Sequence, residues 1–214
     1  IITLTLLVAG VLLLLARCVR HLFRVVLEWL GHRMPGPLAM LLGWVALLVV
    51  SWAVYTGVLV NGFFAGANAF FAPADSTITA SVTQPVDPAR TAGPGSPVTW
   101  ESLGREGRNF VSGGPKTADI DEVTGGGARL PVRVYVGLKS APTVQGRADL
   151  VLSELQRTGA FDREVLVLAT TTGTGYLDRN GTDPLEYLWN GDTAIAGVQY
   201  SYLPSWISLL ADQQ

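Results

Sequence analysis

Apolar residues crowd the first 60 positions of the chain and then recur in short, spaced blocks. Ile1 to Ala16 is apolar apart from Thr3 and Thr5. At about 1.5 Å per residue this run falls slightly short of a bilayer core of about 30 Å. A signal-peptide h-region would want its basic flank before the run, and here the basic residues follow it. Pro37 to Val60 carries no charge and holds Trp44, Trp52 and Tyr55, a length that spans a bilayer with some tilt. Between the two runs, Leu22, Val25, Val26, Trp29 and Leu30 recur at helical spacing and predict an amphipathic connector over 17–36. Phe63, Phe64, Ala67, Phe70 and Phe71 predict an aromatic helical segment over 61–72, either lying in the outer interface or packed on neighbouring membrane helices. The pattern thus predicts a membrane region over 1–72, with helices at about 1–16 and 37–60.

From Pro73 to Pro97 the chain turns polar and rich in Pro, Gly, Ser and Thr, which predicts a linker over 73–97. A third region, 98–214, then becomes regular. Thr117 to Val123 reads as a short helix capped by Thr117, with Asp119, Asp121 and Glu122 favouring its first turns. Val132 to Leu138 is a strand, and Pro142 to Thr158 a helix stopped by Gly159. Glu164 to Thr170 is a near-continuous apolar strand, as expected where both sheet faces are covered. Asp183 and Pro184 open a helix running to about Trp189. Ala194 to Tyr200 is a third strand, and Leu203 to Ala211 a last helix. Strands alternating with helices predict an α/β fold with a mostly parallel sheet, preceded by transmembrane helices.

Charge sorts the two halves. Arg17, Arg20, Arg24 and Arg33 face a single acid, Glu28, in the first 60 residues. The remaining eleven basic and sixteen acidic residues give the rest about −5, with no basic stripe, which argues against a nucleic-acid partner. The basic connector is expected in the cytoplasm. No Lys or Arg follows Val60 until Arg90. Both point to an integral protein of the plasma membrane, the lipid bilayer its partner and the α/β region extracytoplasmic. Cys18 is the single cysteine, so no internal disulfide or thiolate cluster exists, and no metal or cofactor is expected. The chain opens at Ile1 inside an apolar run and closes at Gln214 just after a helical pattern, and is read as a piece of a longer protein.

In a parallel sheet, ligands bind at loops leaving the carboxyl ends of strands. The most unusual such loop is Thr170 to Gly175, continuing through Tyr176. Thr172, Gly173, Thr174, Gly175 and Tyr176 are its candidate substrate-facing residues. Glycine there lets backbone N–H groups approach an oxyanion and hydroxyls donate, whereas the simpler account is a turn that finishes the strand. Ser140 and Ser205 are weaker candidates near strand ends, neither within G-x-S-x-G. No His follows His32, so a Ser-His-Asp triad cannot be completed from these residues. Asp178, Asp183 and Asp192 fit capping and turn roles better than acid catalysis. Gly113-Gly114-Pro115-Lys116-Thr117 ends like a phosphate loop but lacks its first Gly, and Pro115 removes a needed donor. Asn180-Gly181-Thr182 matches a glycosylation pattern, for which a tight Asn-Gly turn is the simpler account.

Four stretches carry a family resemblance: GREGRNFVSGGP (Gly104 to Pro115), RVYVGLKSA (Arg133 to Ala141), ELQRTGAFDREVLVLATTTGTGY (Glu154 to Tyr176) and DPLEYLWNGDTAIAGVQYSYLPSWISLL (Asp183 to Leu210). They resemble the actinobacterial membrane-anchored α/β-hydrolase family, with an N-terminal membrane region and a C-terminal hydrolase domain. The resemblance implies a serine-hydrolase-like fold whose nucleophile follows the next strand, beyond Gln214, so no catalytic residue falls on these positions. A tethered domain on the outer face suggests lipid or envelope esters as substrates, cleaved or transacylated. The competing reading is a non-catalytic membrane protein whose α/β domain binds a partner or envelope ligand. A transporter is a weaker third, because the two apolar runs carry no charge. Residues 98–214 expressed alone should aggregate through an unpaired apolar sheet edge. A monodisperse, cooperatively melting preparation by size exclusion and calorimetry would refute this.

Overall fold

The computed structural model describes residues 2–31 and 35–211, and the chain divides into two compact units, 1–66 and 67–214. His32 and Arg33 of the expected connector lie outside the described residues.

In the first unit, α1 (Ile2–Gly31) runs as one helix through the region expected to be a separate connector. Nothing between Arg17 and Leu30 breaks a helix, and the Arg20 guanidinium folds back onto the Ala16 carbonyl at 3.2 Å. Its partner α2 (Gly36–Val54) starts with Pro37 in the first turn, where a missing N–H costs nothing. The two pack with Phe23 on Trp44 at 5.7 Å between ring centroids, and with Val19 near Leu47 and Val50. These pairings run in opposite chain directions, so the helices are antiparallel.

Helix α2 does not end at the apolar run. A wider-turned π segment, Tyr55–Val60, leads straight into α3 (Asn61–Asp75). The aromatic segment expected over 61–72 is therefore a continuation of the same helix rather than a separate element. Among the described residues, Gly36–Asp75 is the one helix long and apolar enough to cross a membrane.

The second unit holds α4 (Gly104–Ser112), α5 (Thr117–Thr124), β1 (Val132–Val136), α6 (Val144–Arg157), β2 (Val165–Thr170), α7 (Arg179–Leu188), β3 (Thr193–Val198) and α8 (Ser205–Ala211). The sheet is parallel throughout in the order β1-β3-β2, with Val134 opposite Ala196 and Leu168 opposite Ala196 on the other side. Parallel strands need crossovers, and α6 and α7 supply them. Thr143 caps α6 by accepting from the Gly146 N–H at 3.0 Å, and Gly159 in a left-handed conformation ends the turn after it.

Two helix starts differ from the pattern reading. The first residue outside α5 is Lys116, whose N–H is held by the Asp119 carboxylate at 2.8 Å, so Thr117 lies inside the helix. Helix α7 begins at Arg179 with Asp178 as its cap, and Asn180 and Gly181 form its first turn instead of a tight turn. Asp183 cannot cap because its carboxylate is engaged by Arg133 and Arg179. Pro184 consequently sits within the helix.

The stretch expected to be a linker is part of this unit. Arg90 bridges Arg133 in parallel register, Thr91 N–H donates to the Arg133 carbonyl at 3.1 Å, and Thr91 and Ala92 are buried. Polar composition hid a segment whose contribution is backbone pairing along the β1 edge. At the opposite edge, the expectation of a strand covered on both faces fails. Leu166 and Leu168 of β2 are 36 % and 72 % exposed, while β1 and β3 are buried except for Val198.

Arg133 is fully buried on β1 and ties three elements together. Its fork takes Glu186 at 2.7 and 2.8 Å and Asp183 at 2.6 Å from α7, and donates to the Phe110 carbonyl of α4 at 3.0 Å. Burial pushes the Glu186 carboxyl above the ordinary range, against the opposing pull of Arg133. Glu186→Ala leaves that cation buried and half-partnered. Denaturant unfolding of the full chain should show a loss of about 3–5 kcal/mol. An Arg133→Met, Glu186→Leu double variant should lose much less, and a single-variant loss below about 1 kcal/mol would contradict the assignment.

Candidate functional site

The loops after β1, β2 and β3 converge at the carboxyl edge of the sheet, and Gln199 joins them. It follows β3, and its N–H donates to the Val136 carbonyl at 3.0 Å, continuing the ladder. Its buried side chain accepts from the Leu138 N–H at 3.2 Å. The amide nitrogen donates to the Thr174 carbonyl at 3.3 Å, the Ser201 carbonyl at 3.1 Å and the Asp75 carboxylate at 3.0 Å. One side chain thus ties all three loops to the end of α3.

Asp75 is the last residue of α3 and is buried. It lies against Gly104, at the first turn of α4. A Cβ built on Gly104 would stand 2.4 Å from the Asp75 carboxylate, and Gly104 has φ +71°, so glycine is required twice over. A carboxylate there is also favoured by the positive end of the α4 dipole. Arg108 from the next turn donates to the Asp75 and Thr77 carbonyls at 3.1 and 2.8 Å.

These groups line a cavity of about 270 Å³ whose walls include Asp75, Glu106, Thr174, Gln199 and Tyr202. Glu106 is paired with Arg105 at 2.8 Å. Tyr135 supports the loop after β2 by donating to the Gly175 carbonyl at 2.7 Å. Burial, with the Asp75 and Glu106 charges nearby, pushes its phenol far above the usual tyrosine value, so it remains a neutral donor. Sharing Tyr202 is a larger groove of about 460 Å³ with mixed walls, Asn68, Ser201 and Ser208 beside Ala72, Leu138 and Leu203.

The candidate loop stands where the sequence places it, at the carboxyl end of β2, but most of its donors are already engaged. Thr172 N–H reaches the Tyr176 carbonyl, Gly175 N–H the Thr172 carbonyl and Tyr176 N–H the Thr172 hydroxyl, at 3.0, 2.9 and 3.1 Å. Gly173 N–H donates to the Ser205 hydroxyl at 3.0 Å. Gly173 is glycine because a Cβ would stand 2.1 Å from the Leu203 carbonyl. Close packing, rather than access for a ligand, explains it. Thr174 alone of the five has an N–H without a partner among the described residues, and it lines the cavity. Tyr176 faces a different pocket beside Thr79 and Asn109.

Ser140 and Ser205 hold loops together. Ser140 accepts from the Gly137 N–H at 3.1 Å and lies 2.9 Å from the Ser102 hydroxyl, and Ser205 anchors Gly173. Among the described residues, neither meets a base. Asp178 caps α7, Asp183 pairs with Arg133 and Asp192 with Arg129 at 2.7 Å. The pattern reading missed Asp75, Glu106 and Gln199. The one available signal was Gly104 opening a helix without a capping side chain ahead of it.

A family model described as "Alpha/beta-hydrolase family" matches residues 132–214, and one described as "Alpha/beta-hydrolase family N-terminus" matches residues 1–115. No curated protein and no solved structure matches the chain. Gln199→Ala would strand the Leu138 N–H, the Thr174 carbonyl and the Asp75 carboxylate together. Denaturant unfolding should show a loss of about 2–4 kcal/mol. Hydrogen exchange should quicken at Leu138, and unchanged exchange there would contradict the role given to Gln199.

Proposed function

Because the chain belongs to the alpha/beta-hydrolase family, we propose that it is a membrane-anchored member that cleaves or transfers acyl esters of lipid or envelope substrates on the outer face of the plasma membrane. The observation that carries this reading is the cavity at the carboxyl edge of the parallel sheet, where Asp75, Glu106, Thr174 and Gln199 stand among apolar walls, the place where open α/β sheets bind their ligands. Anchoring is supported by the Gly36–Asp75 helix, and the outward orientation by Arg17, Arg20 and Arg24 on the other side of the apolar run.

The chemistry assigned to these residues is positional. Hydrolases of this class build the oxyanion hole from an N–H beside the nucleophile and an N–H from a loop leaving a sheet strand. The Thr174 N–H is the donor this loop offers to such a hole. No His follows His32, and among the described residues neither Ser140 nor Ser205 meets a base, so the Ser–His pair is assigned to a segment other than residues 1–214. The engaged amides of the Thr172–Tyr176 loop favour a second reading, a non-catalytic α/β domain that binds an envelope ligand.

A fluorophosphonate probe applied to the product of the whole gene separates the two. The hydrolase reading expects labelling of one serine outside residues 1–214, abolished when that serine becomes alanine. Absence of labelling, in a protein that folds and lacks any G-x-S-x-G serine, leaves the binding reading in its place.

A further inference from the structure

We infer that Arg90 anchors a binding site for a small monocarboxylate with an apolar body, held in the cavity between the Thr83–Arg90 segment and the Gly113–Lys116 loop. The site shares no wall with the cavity at Asp75 and does not depend on the hydrolase reading.

Arg90 repeats the arrangement of Arg133 without its carboxylate. The two residues stand side by side in parallel register, so their side chains leave on the same face and meet the carbonyls at the end of α4. Arg133 places Nη1 on the Phe110 carbonyl at 3.0 Å and gives its Nε–Nη2 edge to both oxygens of Glu186, at 2.8 and 2.7 Å. Arg90 places Nη1 on the Val111 and Gly113 carbonyls at 2.8 and 2.5 Å. Among the described residues its Nε and Nη2 have no partner and no carboxylate pairs with it, although the residue is only 7 % exposed. Burial, with Arg133 nearby, pulls its guanidinium below the ordinary arginine value. A buried cation without a counter-charge is costly, and the open edge is the fork that takes two oxygens of one anion.

The Gly113-Gly114-Pro115-Lys116 stretch, which is no phosphate loop, forms one wall. Gly114 lies at φ +78°, and a Cβ there would stand 2.1 Å from Arg133 Nη2, so the loop rests directly on that guanidinium. The Gly114 N–H has no partner among the described residues and adds a donor. Beside Arg90 the loop bounds a cavity of about 390 Å³, within the range of small-molecule sites.

The lining selects the ligand. Arg90 and Lys116 against Asp87 give a formal charge of +1, and the Asp87 carboxylate is held by the Ala89 N–H at 2.8 Å. One negative charge neutralises this set, whereas a phosphate dianion would leave an excess beside Asp87. Pro85, Val86, Val111 and Leu130 supply apolar wall for the body. Of the polar side chains there, Gln84 already donates to the Ala92 carbonyl at 2.7 Å and Ser112 to the Thr83 carbonyl at 2.6 Å.

The test uses the full chain in a non-ionic detergent, with 4-fluorobenzoate as probe, 4-fluorobenzamide as its uncharged counterpart and fluorine NMR as the readout. The benzoate should bind and the benzamide should not. Arg90→Lys keeps the charge but removes the two-donor edge, and should weaken benzoate binding about tenfold or more. Lys116→Gln, on the exposed rim, should weaken it about twofold to fivefold. Saturating benzoate should slow hydrogen exchange across 111–116, and this reading decides the matter even where Arg90→Lys does not fold. Equal binding of benzamide, undiminished binding to a folded Arg90→Lys variant, or unchanged exchange across 111–116 would overturn the inference. Displacement of the benzoate by an equal concentration of inorganic phosphate would overturn the carboxylate assignment.

Discussion

The contact between Asp75 and Gln199 organises the carboxyl edge of the sheet. A carboxylate at the end of a helix that begins as an apolar run is buried, and a buried carboxylate needs partners. Gln199 supplies one at 3.0 Å, and Gly104 leaves the space that lets the carboxylate approach α4. Because the same amide also holds Leu138, Thr174 and Ser201, the loops after all three strands are set relative to α3 through one side chain. The two cavities that share Tyr202 as a wall follow from that arrangement.

A second buried cluster does comparable work beneath the site. Arg133 holds α7 and α4 against β1 without any solvent exposure. Such a pair contributes little net stability over an apolar replacement, but it punishes the loss of one partner severely. It fixes which faces of α4 and α7 meet the sheet. Tyr135, two residues on along the same strand face, reaches the Gly175 carbonyl from below. The loop after β2 is therefore held by Tyr135, Gln199 and Ser205 together, which explains why its amides are turned inward.

The strands and the helix α6 were legible in the sequence because apolar spacing and Gly159 mark them directly. Helix α7 was not, since Asp183-Pro184 and Asp178 are both plausible starts, and the choice is made by Arg133, some fifty residues earlier, taking the Asp183 carboxylate. The 73–97 segment looked like a linker because it joins the sheet through backbone pairing with Arg133 and buries only small apolar residues such as Ala92, which leave little pattern. The loop after β2 was visible as a feature, but the commitment of its amides was not, because Ser205 lies 32 residues away. Asp75 was the least readable. Its partner Gln199 is 124 residues distant, and nothing local marks a carboxylate that follows an aromatic helix as buried.

The central claim is that α3 is fastened to the sheet through Asp75 and Gln199. The most direct test is a double-mutant cycle with Asp75→Ala and Gln199→Ala, read from denaturant unfolding of the full chain in detergent. The account predicts a coupling of about 1–2 kcal/mol between the two positions, as for residues in one hydrogen-bond network. Additivity within about 0.3–0.5 kcal/mol would contradict it, because the two side chains would then be independent.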